Sequence, residues 1–158
     1  MQRGNVKTVV QTEMSENLPP DPDMSQLAKI PGMLKQAGLR PTRQRLALGR
    51  LLFESGDRHV TAEQLHAEVA ALGEHVSLAT VYNTLHQFKR AGLVRELAIE
   101  GSKAYFDTNT SNHNHFLLEN SGELMDIPSD AIRVEGLPEP PEGMKITHVD
   151  VVVRLAKD

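Results

Sequence analysis

The sequence predicts an α+β protein, an N-terminal winged-helix domain followed by a small α/β domain, on three observations. Helical stretches with recognisable caps and glycine stops come first in the chain. Two pairs of short strands follow, one turning around Gly101 and one around Asn120-Ser121-Gly122. Charge then separates the halves. Met24 to Phe53 and Val76 to Arg95 contain no acid, whereas Glu119 to Asp158 carries nine acids against Arg133, Lys145, Arg154 and Lys157.

Residues 1–26 are polar, hold Pro19, Pro20 and Pro22, and show no apolar period, so they read as a disordered tail. The first helix spans Pro31 to Ala37, since proline is tolerated only in a first turn and Gly38 stops it. Thr42 caps the second, whose apolar positions Leu46, Leu48, Leu51, Leu52 and Phe53 run to Gly56. Thr61 with Gln64 forms a capping-box pair for the third, which ends at Gly73. Ser77 caps the fourth, which Gly92 closes. Its stripe of Leu78, Val81, Leu85 and Phe88 faces inward and leaves Thr80, Tyr82, Asn83, Thr84 and Gln87 outward.

Strands are expected at Leu93–Ile99 and Lys103–Asp107, completing the winged-helix order, then at His113–Glu119 and Glu123–Ile127. After the proline-rich link from Leu137 to Gly143 comes a last alternating segment. It sets Thr147, Val149, Val151, Val153 and Leu155 on one face and His148, Asp150 and Arg154 on the other. A strand with one buried face needs a partner, and the second hairpin supplies it.

Composition removes several function classes. The chain has no cysteine, which excludes disulfides and cysteine-based structural zinc. No apolar run approaches the roughly 18 residues of a membrane span, and no secretory h-region is visible, so a cytoplasmic location without membrane partners is expected. The net charge of −4 hides basic stretches carrying Lys29, Lys35, Arg40, Arg43, Arg45 and Arg50, then Lys89, Arg90 and Arg95. These suit a polyanion partner, with a solvated basic face as the plain alternative. In a helix-turn-helix arrangement the fourth helix would enter the major groove, where Asn and Gln pair with adenine edges and Thr or Tyr meet thymine methyls or phosphates. An ordinary amphipathic surface helix would show the same stripe.

His113 and His115 lie at i and i+2 of a strand and therefore share a face. Two convergent imidazoles can bind a divalent metal or approach heme iron, and a chance surface pair looks identical. A small metal-dependent hydrolase built on the histidines and Asp107 is the enzyme alternative. It lacks HExxH, GxSxG and a glycine-rich phosphate loop. A winged-helix interaction module without sensing is a third reading.

Three strings in order decide among these: Ala37-Gly38-Leu39-Arg40-Pro41-Thr42-Arg43-Gln44-Arg45, His59-Val60-Thr61-Ala62-Glu63, and Val76-Ser77-Leu78-Ala79-Thr80-Val81-Tyr82-Asn83-Thr84-Leu85. Together they resemble the ferric uptake regulator superfamily over about residues 30–127. The closing string from Pro140 to Leu155 is similar to the iron response regulators within it. The resemblance implies a homodimeric regulator of iron and heme homeostasis, a repressor in type, that binds double-stranded operator DNA, AT-rich and palindromic.

It divides the chain into a DNA-binding domain over 27–107, a hinge over 108–112 and a dimerisation and sensing domain over 113–158. Tyr82 and Asn83 would contact bases beside Thr80, Arg40 the minor groove or backbone, and Arg43 and Arg45 phosphates. Arg40 precedes Pro41, which biases it toward extended geometry with the side chain reaching outward. The implied metal ligands are His59, Asp107, His113 and His115, a set that suits zinc, manganese or ferrous iron alike. Heme is implied near His113 or His115. The structural zinc of other members is excluded because Leu118 and Ser121 stand where cysteines would be. His148 occupies the place of a second-site histidine, with a plain polar strand position as its alternative.

Overall fold

The computed structural model describes residues 29–100 and 103–158. The expected tail over 1–26 and the turn at Gly101 lie outside the described residues. Four helices, α1 (Lys29–Gln36), α2 (Arg43–Phe53), α3 (Ala62–Ala71) and α4 (Leu78–Arg90), precede a run of strands, with one short strand, β1 (His59–Thr61), inserted before α3. The strands that follow are β2 (Arg95–Glu100), β3 (Lys103–Asp107), β4 (His113–Leu118), β5 (Glu123–Pro128) and β6 (Val152–Leu155).

The caps act as their residue types dictate. Thr42 accepts from the Arg45 amide and Ser77 from the Thr80 amide. Thr61 and Gln64 make both bonds of a capping box, which fixes the start of α3 immediately after β1. At the end of α4 the Leu93 amide donates back to the Phe88 carbonyl across Gly92, whose φ is 76°. Leu93 is thereby committed to the helix end, and the strand begins at Arg95 instead of Leu93.

The main core lies among the four helices and the adjoining sheet. Leu34, Leu48, Leu52, Val60, Leu65, Val69, Val81, Leu85, Phe88 and Phe106 are fully buried in it. Burying each of the larger side chains contributes about 1.5–3 kcal/mol before chain entropy is counted. Thr84 is buried with them, contrary to the outward position expected of it. It lies three residues from Val81 and beside Leu85, so the packed stripe of α4 is wide enough to take in one hydroxyl.

Two three-stranded sheets follow, ordered β1-β3-β2 and β5-β4-β6. β1 is a strand that no periodicity signals, because three residues cannot display one; it exists by pairing with β3. β6 pairs with β4 in parallel, so the last strand does find its partner in the second hairpin. It is shorter than the alternating segment, since β6 meets β4 only from Val152 to Leu155. Its faces also differ from expectation. Val152 packs on the second core with Leu97, Leu117 and Leu124, while Leu155 on the supposed buried face is exposed. Residues 129–151 connect β5 to β6 without helix or strand.

That second core crosses the expected boundary at residue 107. Leu97 and Tyr105 come from the first sheet, and the Tyr105 hydroxyl donates to the Gly122 carbonyl of the β4–β5 turn. Arg95 of β2 adds a polar tie, donating to Asp150, to the Ser111 carbonyl and to the His148 ring.

Candidate metal centre

Strand register gathers the candidate ligands. β1 and β3 are antiparallel with His59 opposite Asp107, and β4 and β5 are antiparallel with His115 opposite Asp126. Directly opposed residues have Cβ atoms about 4.5–5.5 Å apart, so each pair is a ready chelate. His113 joins because i and i+2 share a strand face. The outcome is a five-residue group, His59, Asp107, His113, His115 and Asp126, whose ligand atoms all lie within 4.8 Å of one another. It is the only such group among the described residues.

All three imidazoles direct Nε2 at the two carboxylates. Asp107 Oδ2 is 3.4, 2.9 and 3.1 Å from His59, His113 and His115, and Asp126 Oδ1 is 2.8, 3.3 and 3.6 Å from the same atoms. Second atoms are held from outside. His113 Nδ1 lies 2.8 Å from the Ser111 carbonyl, which can only accept, so Nδ1 carries a proton and Nε2 is the atom turned toward Asp107. The Asn109 amide donates to Asp107 Oδ1 and its side chain to Asp126 Oδ2, leaving one oxygen of each carboxylate for the centre.

With Nδ1 bonded outward, Nε2 of His113 is the ring atom available to a metal ion, and Asp107 Oδ2 stands 2.9 Å from it. The buried His59 Nε2 makes no hydrogen bond of acceptable geometry despite its neighbours. Both features fit a divalent cation bound by three nitrogens and two oxygens. Electrostatics lean the same way. Burial opposes charge at Asp107, yet His115, His59 and the Asn109 amide outweigh it and keep this carboxylate ionised well below its usual range. Burial likewise opposes charge on His59, but Asp107 and Asp126 raise its pKa, so the pocket favours a cation.

Asp126 was not among the sequence candidates. It lies on β5, eleven residues beyond His115, and only the β4–β5 register reveals it. The signal available was its place on a hairpin strand opposite an HxH pair. His113 and His115 are 4% and 1% exposed with Nε2 committed to Asp107, so neither presents a face to a porphyrin. His148 stands apart from the cluster, 2.7 Å from the Arg95 guanidinium and 2.9 Å from Asp150.

The match to the model of the ferric uptake regulator family spans residues 36–154. The chain belongs to the ferric uptake regulator family. It is 36% identical over 117 residues to the ferric uptake regulation protein of Shigella flexneri, covering 73% of this chain and 79% of that one. It is likewise 36% identical over 116 residues to the peroxide-responsive repressor of Staphylococcus aureus, covering 73% and 78%. Its fold matches the ferric uptake regulator of Pseudomonas aeruginosa, solved with manganese, at a TM-score of 0.61 and 27% identity over 81% of this chain and 97% of that one. Ferric uptake regulator proteins are metal-responsive transcription regulators that bind DNA as dimers.

In this family member the side chains carried over for DNA contact come from Arg40 before α2, the first turn of α2, and α4. Arg40, Arg43 and Asn83 are exposed and Tyr82 is half-buried. Arg43 pairs with Glu74 at 3.1 Å, and the Tyr82 hydroxyl donates to Glu63 at 2.6 Å. Arg45 is tied between helices, donating Nε and Nη2 to Gln87 and Nη1 to the Arg40 carbonyl. Thr80 holds its hydroxyl against Ser77 in the cap.

Proposed function

We propose that the protein is an iron-homeostasis repressor whose operator binding is switched by a divalent ion at the cluster of His59, Asp107, His113, His115 and Asp126. The observation that carries this is the origin of the donors. His59 and Asp107 come from the winged-helix half, and His113, His115 and Asp126 from the strands beyond the hinge at 108–112. A bound ion would place positive charge where two carboxylates and three Nε2 atoms converge. The side chains then hold β1–β3 against β4–β5, which sets how the winged helix projects from the rest of the molecule.

In a homodimer that projection fixes the spacing of two α4 helices, which must match half-sites about 34 Å or a multiple apart on a palindromic, AT-rich operator. Large exposed apolar residues favour a dimer through the second half. Among the described residues all of them except Leu72 fall between Met125 and Leu155: Met125, Val134, Leu137, Met144, Ile146 and Leu155. Arg40 is assigned to the minor groove or backbone, Arg43 and Arg45 to phosphates, and Thr80, Tyr82 and Asn83 to the base-reading surface. Resemblance to the iron response regulators supports heme as a second signal. Heme ligation would require His113 or His115 to leave Asp107.

The deciding experiment is duplex titration of the full chain with manganese, ferrous iron, zinc or heme, against the same chain treated with chelator. A metal-dependent gain in affinity for a palindromic AT-rich duplex, abolished in His113→Ala, is the expected result. Equal binding in all conditions would reject the switch. Arg43→Ala should weaken binding to every duplex and flatten its salt dependence, whereas Tyr82→Ala should lose preference among duplexes. An unchanged heme Soret band after His113 and His115 are both replaced by Ala would remove heme from the site.

A further inference from the structure

Two of the side chains assigned to DNA are held by carboxylates, and both carboxylates flank one helix. Glu63 lies in the first turn of α3 and accepts a hydrogen bond from the Tyr82 hydroxyl at 2.6 Å. Glu74 lies two residues beyond the Leu72 cap of the same helix, and its Oε2 accepts from Arg43 Nε at 3.1 Å and pairs with Arg43 Nη2 at 3.1 Å. Tyr82 belongs to α4 and Arg43 to α2, so α3 spans the gap between the reading helix and the backbone-contacting helix end. Its entry is fixed by the Thr61–Gln64 capping box, two residues after His59 of the metal cluster.

We propose that α3 is an acidic strut that sets DNA specificity, with Glu63 orienting Tyr82 and Glu74 restraining Arg43. The proposal rests on the operator-binding function above and names residues that this function does not use. Tyr82, donating its hydroxyl hydrogen to Glu63, turns only its ring and a hydroxyl lone pair toward a duplex. Such a group accepts from base amino groups or packs on a thymine methyl, and it cannot donate to a phosphate oxygen. Glu63 also places a negative charge beside the groove, which penalises registers that bring a phosphate there.

Glu74 works on affinity instead. The Arg43 side chain is 82% exposed, so its ion pair is weak, but any phosphate must displace a carboxylate to claim the guanidinium. Binding to arbitrary sequence is thereby reduced without a change in base contacts.

The test uses the full chain loaded with manganese, a duplex that the wild type enriches from a randomised pool, and a scrambled duplex of the same composition. Glu74→Gln should bind both duplexes about three- to fivefold more tightly, with the ratio between them unchanged and a steeper salt slope. Glu63→Gln should lower that ratio about fivefold. In the Tyr82→Phe background Glu63→Gln should have no further effect, because the hydroxyl it acts through is gone. Both acids are at the surface, and unchanged melting temperatures will separate these effects from misfolding. A wild type that discriminates while E63Q and E74Q behave like it overturns the strut alone. A wild type that enriches no duplex overturns operator binding and the strut with it.

Discussion

In the candidate metal centre, Asn109 and Ser111 hold the donor side chains in place without being among the donors. The Ser111 carbonyl selects the His113 tautomer, and Asn109 pins the outer oxygens of Asp107 and Asp126. Asn109→Ala should therefore weaken manganese or zinc affinity about tenfold, and Asp126→Asn by ten- to a hundredfold, read by competition with a chromophoric chelator. Wild-type affinity for Asp126→Asn would remove that residue from the ligand set. The pH dependence has a definite sign. The carboxylates raise the pKa of His59, and metal must displace its proton, so affinity falls as pH drops through that raised value and recovers above it. A metal affinity flat between pH 8 and pH 5 would contradict this, and calorimetry reports the proton release directly. Four of the five donors could be read from the chain, since resemblance supplied His59, Asp107, His113 and His115. Asp126 required the register.

At the scale of elements, the helices were legible because their signals are local. Thr42, Thr61 and Ser77 cap where a side chain can reach an amide three residues on, and that depends only on neighbours in sequence. β1 was not legible because its cause is β3, more than forty residues away. Gly49 shows a packing effect that sequence would misjudge. A helical glycine normally costs about 1 kcal/mol relative to alanine, so Gly49→Ala should by propensity stabilise α2. A Cβ there would instead sit 2.9 Å from Cγ2 of the buried, β-branched Ile30 of α1. We expect Gly49→Ala to destabilise by about 1–3 kcal/mol in denaturant unfolding. A gain in stability would mean that α1 moves aside at no cost.

For the whole molecule, the contacts that join the two halves include the five-residue cluster, the small apolar core around Leu97, the Tyr105–Gly122 hydrogen bond and Arg95. Arg95 reaches the Ser111 carbonyl and the pair of Asp150 and His148, tying β2 to the hinge and to the segment before β6. Asp150 is 48% exposed, so solvent screens the pair, and Arg95→Ala should cost roughly 1 kcal/mol at low salt. That cost should shrink in 1 M salt. Unfolding at both ionic strengths checks it, and a salt-independent loss would point to packing of the arginine stem. The same contacts explain why the expected boundary at residue 107 separates sequence patterns more cleanly than it separates cores.

The chain by itself determined the order of helices and hairpins, the caps, the separation of basic and acidic halves, the absence of cysteine chemistry and the family resemblance. Each of these is a property of neighbouring residues or of residue type. Tertiary structure decided the fifth donor, the short strand that carries His59, the burial of Thr84, the inward turn of Val152 and the carboxylates on Arg43 and Tyr82. All of these depend on which distant segments lie side by side. A period-2 or period-3.6 pattern says which face is apolar, but not what stands opposite it.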